Sequence, residues 1–138
     1  MIKQFIFVFL AVLVTSLING QEKIEKNGVT INSSQIRCTS LQNGTDNMYI
    51  SLKVHNSNNY PVSIQFDKKM WYDGACVNCE SNSDEYKVTL TLAANQTIEG
   101  FCDKKDYQLL IFHSMPSGLT TTKLTDFKIE NLLVTPMK

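Results

Sequence analysis

Met48-Tyr49-Ile50-Ser51-Leu52-Lys53-Val54-His55 alternates with a period of two: Met48, Ile50, Leu52 and Val54 fall on one side, Tyr49, Ser51, Lys53 and His55 on the other. Successive side chains of an extended chain point to opposite faces, so this reads as a strand with one buried face. Asn56-Ser57-Asn58-Asn59-Tyr60-Pro61 follows, a cluster of residues that favour turn geometry. Val62, Ile64 and Phe66 then alternate with Ser63, Gln65 and Asp67, a second strand expected to pair back on the first.

The pattern continues outward in both directions. Tyr86, Val88, Leu90 and Leu92 alternate with Lys87, Thr89 and Thr91, and Ala93-Ala94-Asn95-Gln96 makes a turn before Thr97-Ile98-Glu99-Gly100-Phe101-Cys102. Residues 107–113 are denser in apolar side chains, as in a strand buried on both faces. Residues 127–134 form the last strand, and residues 29–31 and 35–41 are the first. Residues 119–126 are ambiguous, with room for a turn of helix. Seven or eight short strands separated by turn signals, with no helical stripe, predict an all-β antiparallel sandwich or barrel.

The chain opens with the marks of export. Lys3 supplies a positive start, residues 5–14 are unbroken apolar, and Gly20 offers a small residue at the cut. That run is shorter than the roughly 20 residues a membrane-spanning helix needs, so residues 1–20 read as a cleavable secretory signal. Residues 21–138 remain as one domain, secreted or periplasmic. Lys and Arg number 13, as do Asp and Glu, and loss of Lys3 leaves the rest one charge to the acidic side. A neutral, unclustered surface argues against nucleic acid, which needs a basic patch, and against membrane binding after signal cleavage.

Cys38, Cys76, Cys79 and Cys102 all lie in the exported part, and an even count in an oxidising compartment implies two bridges. Links to Cys38 and Cys102 constrain far more chain than a Cys76–Cys79 ring would. Cys76 and Cys79 are therefore each expected to reach a distant partner, with the choice between the two long-range pairings open. Cys76-Val77-Asn78-Cys79 also has the spacing of a redox pair, but it stands in a polar, acidic loop rather than at a helix N-terminus. Neighbouring carboxylates raise a thiolate pKa. A zinc site is disfavoured because the second cysteine pair is split along the chain.

No catalytic motif surrounds His55 or His113, and there is no G-x-S-x-G elbow or P-loop. Asp73, Glu80, Asp84, Glu85, Asp103 and Asp106 lack the spacing of a calcium loop, so no metal or other cofactor is expected. Met70-Trp71-Tyr72-Asp73-Gly74 holds the single tryptophan. Trp71 either packs on a disulfide in the core, as in immunoglobulin domains, or joins Tyr72 and Tyr60 in an aromatic platform for sugar or protein. Sequons begin at Asn32, Asn43 and Asn95 and would mark exposed turns.

Three stretches, LKVHNSNNYPVSIQF (52–66), WYDGACVNC (71–79) and LAANQTIEGFCD (92–103), resemble segments of small secreted immunoglobulin-like sandwich proteins of Bacteroidota-type bacteria that have no assigned activity. The resemblance runs from about residue 36 to 134. It implies the fold and the address, and no catalytic residue. The function expected is that of a non-enzymatic module binding a protein or a glycan. The alternatives are a thiol–disulfide redox factor using the Cys76/Cys79 loop, or a structural partner in an envelope complex.

Overall fold

The computed structural model describes residues 23–103, 105–116, 118 and 120–138; the signal reading of residues 1–20 lies outside them. Among the described residues there are nine strands and two single-turn 3-10 segments, and no α-helix. The strands are β1 (Lys23–Lys26), β2 (Val29–Ser40), β3 (Thr45–Asn56), β4 (Val62–Tyr72), β5 (Ala75–Cys76), β6 (Lys87–Leu92), β7 (Thr97–Glu99), β8 (Leu110–Ser114) and β9 (Leu124–Pro136).

They form two antiparallel sheets. In sheet A, β3 pairs β2 along its whole length on one edge and the short strands β7 and β8 in line on the other, with β1 outside β2. In sheet B, β4 pairs β9 on one edge and β6 then β5 in line on the other. The two sheets thus share one plan: a long central strand, a long companion, and two short strands completing the opposite edge.

The apolar side chains seen to alternate in the sequence meet between these sheets. Val29, Ile31, Leu52, Val54 and Ile111 from sheet A face Val62, Ile64, Phe66, Val88, Leu90, Leu92, Leu124 and Val134 from sheet B, and all are buried. A sheet with one apolar face must cover it, and a second such sheet is the solution reached here.

Five expectations change, four in the strands and one in the disulfides. The strand 62–67 does not pair back on β3, because both edges of β3 are occupied by β2 and by β7 and β8; the chain crosses to the other sheet instead. Asn56, fully buried, organises that crossing. Its amide donates to Tyr60 O (2.9 Å) and Ala93 O (3.0 Å), and its Oδ1 accepts from Asn58 N (3.0 Å). Residues 29–31 and 35–41 belong to one continuous strand, β2, with Leu41 already in the turn. Tyr107–Leu109 is a 3-10 turn, and β8 begins only at Leu110. Ser51, on the polar side of its strand, is nonetheless buried, because its Oγ donates to Gly100 O at 2.6 Å.

The bridges are Cys38–Cys102, 64 residues apart in sequence, and Cys76–Cys79, 3 apart. The expectation that Cys76 and Cys79 each reach a distant partner is therefore wrong. The reason is local. Asp73 (φ 51°) and Gly74 (φ 80°) both adopt the left-handed region required at the two centres of a tight hairpin. This folds β5 back on β4 and sets Cys76 opposite Trp71, on sheet B. Cys38 lies on β2, in sheet A, where the loop after β7 supplies Cys102.

A polar surface beside the short bridge

β6 pairs β4 only as far as Asp67, and β5 pairs only Trp71 and Tyr72. The edge of β4 between them would leave backbone groups without partners, which is costly in a buried place. Asn78 fills the gap. It is 2% exposed, its Nδ2 donates to Lys68 O (2.6 Å) and its Oδ1 accepts from Met70 N (2.9 Å). One side-chain amide thus does the work of a strand residue. Val77 N donates to Met70 O (3.0 Å), and the Cys76–Cys79 bridge closes the ring that presents Asn78.

The outer face of sheet B here carries Asp67, Lys69 and Trp71 on alternate positions of β4. Residues directly opposite in an antiparallel pair share a face. Asp67 is opposite Lys87 and Glu130, Lys69 opposite Lys128, and Trp71 opposite Cys76 and Asp126. Trp71 is half-buried, and the Lys128 ammonium lies 5.4 Å from its ring centroid, a cation–π arrangement. Lys69 Nζ donates to Asn78 O and Cys79 O, both at 3.3 Å. Asn131, at a bulge in β9 with φ 55°, donates to Asp67 Oδ2 at 2.8 Å.

Between this face and the loop after the bridge lies a cavity of about 260 Å³, lined by Asp67, Lys68, Lys69, Asn78, Ser81, Asn82, Ser83, Tyr86, Lys87 and Asn131. None of these is an aliphatic residue. Lys87 pairs with Asp84 at 3.2 Å, and the loop is braced by Ser81 N to Asn78 O (3.1 Å) and Glu85 N to Ser83 Oγ (3.2 Å).

Lys68 points the other way, into the sandwich. It is 8% exposed and its Nζ donates to Gln108 O at 2.7 Å. Among the described residues no carboxylate lies within ion-pair distance of it. Burial without a counter-charge pushes its amine down to about 8.

The three aromatic residues expected to form one platform are not together. Tyr60 is exposed on the β3–β4 crossing, and β4 runs 11 residues from there to Tyr72, roughly 35 Å at about 3.3 Å per residue. Tyr72 faces inward: its hydroxyl donates to Phe112 O at 2.6 Å and its ring stacks on Phe112 at 6.5 Å. Burial raises its phenol pKa. Trp71 alone of the three lies on the outer face beside the cavity. It is also not a core residue; its neighbour in register is the short bridge, outside the sandwich.

Some features were not expected. Phe101 (56% exposed) and Tyr107 (67%) are the most exposed aromatic residues described. They stand on the 100–109 loop, held by the Cys38–Cys102 bridge and by Gly100, where an added Cβ would come within 2.7 Å of Leu109 O. Asp73-Gly74, read as polar loop, is a hairpin signal that could have located Cys76. Nothing local marks Lys128 as the neighbour of Trp71. Asn43 and Asn95 are on exposed turns, but Asn32 is half-buried within β2. Among the described residues no three His, Cys, Asp or Glu side chains gather as metal ligands, and no helix is long and apolar enough to cross a membrane.

No protein-family model, curated protein or solved structure matches the chain.

Proposed function

We propose that this protein is a secreted, non-enzymatic binding module of immunoglobulin-like type, and that it contacts a protein or a glycan through the outer face of sheet B around Trp71. The strand path supports the fold assignment. The chain crosses between sheets from β3 to β4 and again from β8 to β9, while β3 pairs β8 and β4 pairs β9. Connections that carry the chain from one antiparallel sheet to the other in this way are in keeping with a sandwich of immunoglobulin type. Two disulfides fit an oxidising compartment.

The observation that carries the binding reading is Trp71: a large ring, half-buried on the outer face of a paired strand, beside a polar cavity. Aromatic side chains with fixed geometry are favoured contact residues because they offer area at small entropic cost. The test is a screen of immobilised glycans and extracellular proteins with wild type and Trp71→Ala. Loss of binding in a variant that melts like wild type supports the reading; identical binding by the two refutes it.

A second reading, a thiol–disulfide redox factor, is favoured by one observation: Cys76 and Cys79 bond to each other, as an exchanging pair must. The bridge sits on a hairpin, without the helix N-terminus that usually activates such a thiol. Catalysed reduction of a disulfide substrate by the protein with a dithiol as electron donor, lost in Cys76→Ser, would establish it.

A further inference from the structure

Resting on the reading of the Trp71 surface as the contact face, we propose that its ligand is an uncharged oligosaccharide. One sugar unit would occupy the cavity under the 77–86 loop and a neighbouring unit would lie against Trp71.

The cavity separates this ligand from a protein or an apolar small molecule. Pockets that receive drug-like molecules are mostly apolar with a few polar groups and run to roughly 300–1,000 Å³, and protein hot spots seat in desolvated apolar pockets. Here the volume is about 260 Å³ and every lining residue is polar or carries a hydroxyl. Such a wall has little apolar area to remove from water, and its favourable contacts are hydrogen bonds. Hydroxyls and amides from Ser81, Asn82, Ser83, Tyr86 and Asn131, with Asp67 as acceptor, match a ring bearing several hydroxyl groups, each both donor and acceptor.

Charge decides between neutral and acidic sugars. The cavity wall holds Lys68, Lys69 and Lys87 against Asp67, but the Lys68 ammonium is turned away to Gln108 O and Lys87 is paired with Asp84, which leaves Lys69 against Asp67. Across the rest of the face Lys128 stands against Asp126 and Glu130. No positive excess remains to favour a polyanion. Lys69 lines the cavity and stands two residues before Trp71 on the same face, about 7 Å along the strand. The cavity and the ring are therefore adjoining parts of one surface. The Asn78 ring and the Cys76–Cys79 bridge hold the loop in place without ligand, which reduces the ordering cost of binding.

Calorimetric titration of the full protein with uncharged hexasaccharides (gluco-, xylo- and manno-configured) and with a galacturonate hexamer tests this. At least one uncharged hexamer is expected to bind with the same affinity in low and high salt. Trp71→Ala and Asn82→Ala are each expected to weaken it about tenfold or more, a loss of about 1.4 kcal/mol; Asn82 is exposed, so its variant should fold. Lys53→Gln, on sheet A, should change nothing. Binding of the acidic hexamer alone, of no hexamer, or of an uncharged hexamer indifferent to Asn82→Ala overturns the sugar assignment. If a protein or acidic ligand then binds in a Trp71-dependent way, the broader reading survives; if no ligand depends on Trp71, both fall.

Discussion

The two disulfides sit at two different kinds of place. Cys38–Cys102 ties β2 of sheet A to the loop after β7, closing 64 residues of chain, while Cys76–Cys79 spans 3 on the hairpin at the end of β4. Each adjoins a cavity of similar size, about 280 Å³ and 260 Å³ respectively. The first is lined by Cys38, Thr39, Ser40, Asn43, Thr45, Asn47, Tyr49 and Cys102, none of them charged, and lies at the end where Phe101 and Leu41 are exposed. The second carries Asp67, Lys69 and Lys87. The same bond thus serves two ends here. One bridge removes freedom from the unfolded chain, and the other shapes a few residues of surface.

Removing each bridge should bring out the difference most strongly. By loop length, Cys38→Ser with Cys102→Ser should lose about 4 kcal/mol of stability and Cys76→Ser with Cys79→Ser about 2 kcal/mol. Urea unfolding of both variants measures this, and equal losses would erase the distinction. Next in size is Lys68, the buried cation behind the short bridge. Its folded pKa of about 8 lies below the ordinary value of 10.5, so between those limits the unfolded chain holds the extra proton. Stability should therefore rise with pH from about 8 to 10.5, by up to about 3 kcal/mol at about 1.4 kcal/mol per pKa unit. Lys68→Met should be more stable than wild type at pH 7 and lose that rise; denaturant midpoints across the range are the check.

Asn78→Ala tests what the short ring is for. It strands Lys68 O and Met70 N, an expected cost of about 2 kcal/mol with the bridge still formed. If thermal unfolding is unchanged, the ring has some other role. The smallest effect belongs to Trp71→Ala, about 1 kcal/mol for a half-buried side chain outside the core. A loss of about 3–5 kcal/mol, as for a buried aromatic, would put the ring inside the fold and remove the candidate surface.

Periodicity made most of the core legible. Leu52 and Val54, Val62, Ile64 and Phe66, Val88, Leu90 and Leu92 are all buried as their alternation required, because a period of two is the geometry of the strand itself. What alternation cannot encode is which strand pairs with which. Val62 to Asp67 has the right pattern for a hairpin with β3, and only the occupied edges of β3 send it to the other sheet. The disulfides failed for a related reason. Loop entropy weighs the unfolded chain, whereas the pairing follows from where the Asp73-Gly74 turn places Cys76. At the candidate site Trp71 was legible as an isolated aromatic residue beside turn chemistry. Lys128 and Asn131 were not, because they reach the site by cross-strand register and by a bulge in β9, both long-range properties; Asn78 was not, because its place depends on the Cys76–Cys79 pairing that the loop-entropy argument missed. Tyr72 shows the converse: adjacent to Trp71 in sequence, it faces the opposite way by the same alternation that made the core readable.

Amide hydrogen exchange on the Cys76→Ser, Cys79→Ser variant bears most directly on the division of labour between the bridges. The Met70 and Val77 amides, which bond to Asn78 Oδ1 and Met70 O, should exchange much faster than in wild type. Amides in the middle of β3 and β4, such as Leu52 and Ile64, should keep their protection apart from the small global loss. Collapse of protection throughout both sheets, or an unchanged Met70 amide, would contradict the claim that the short bridge holds only the local surface.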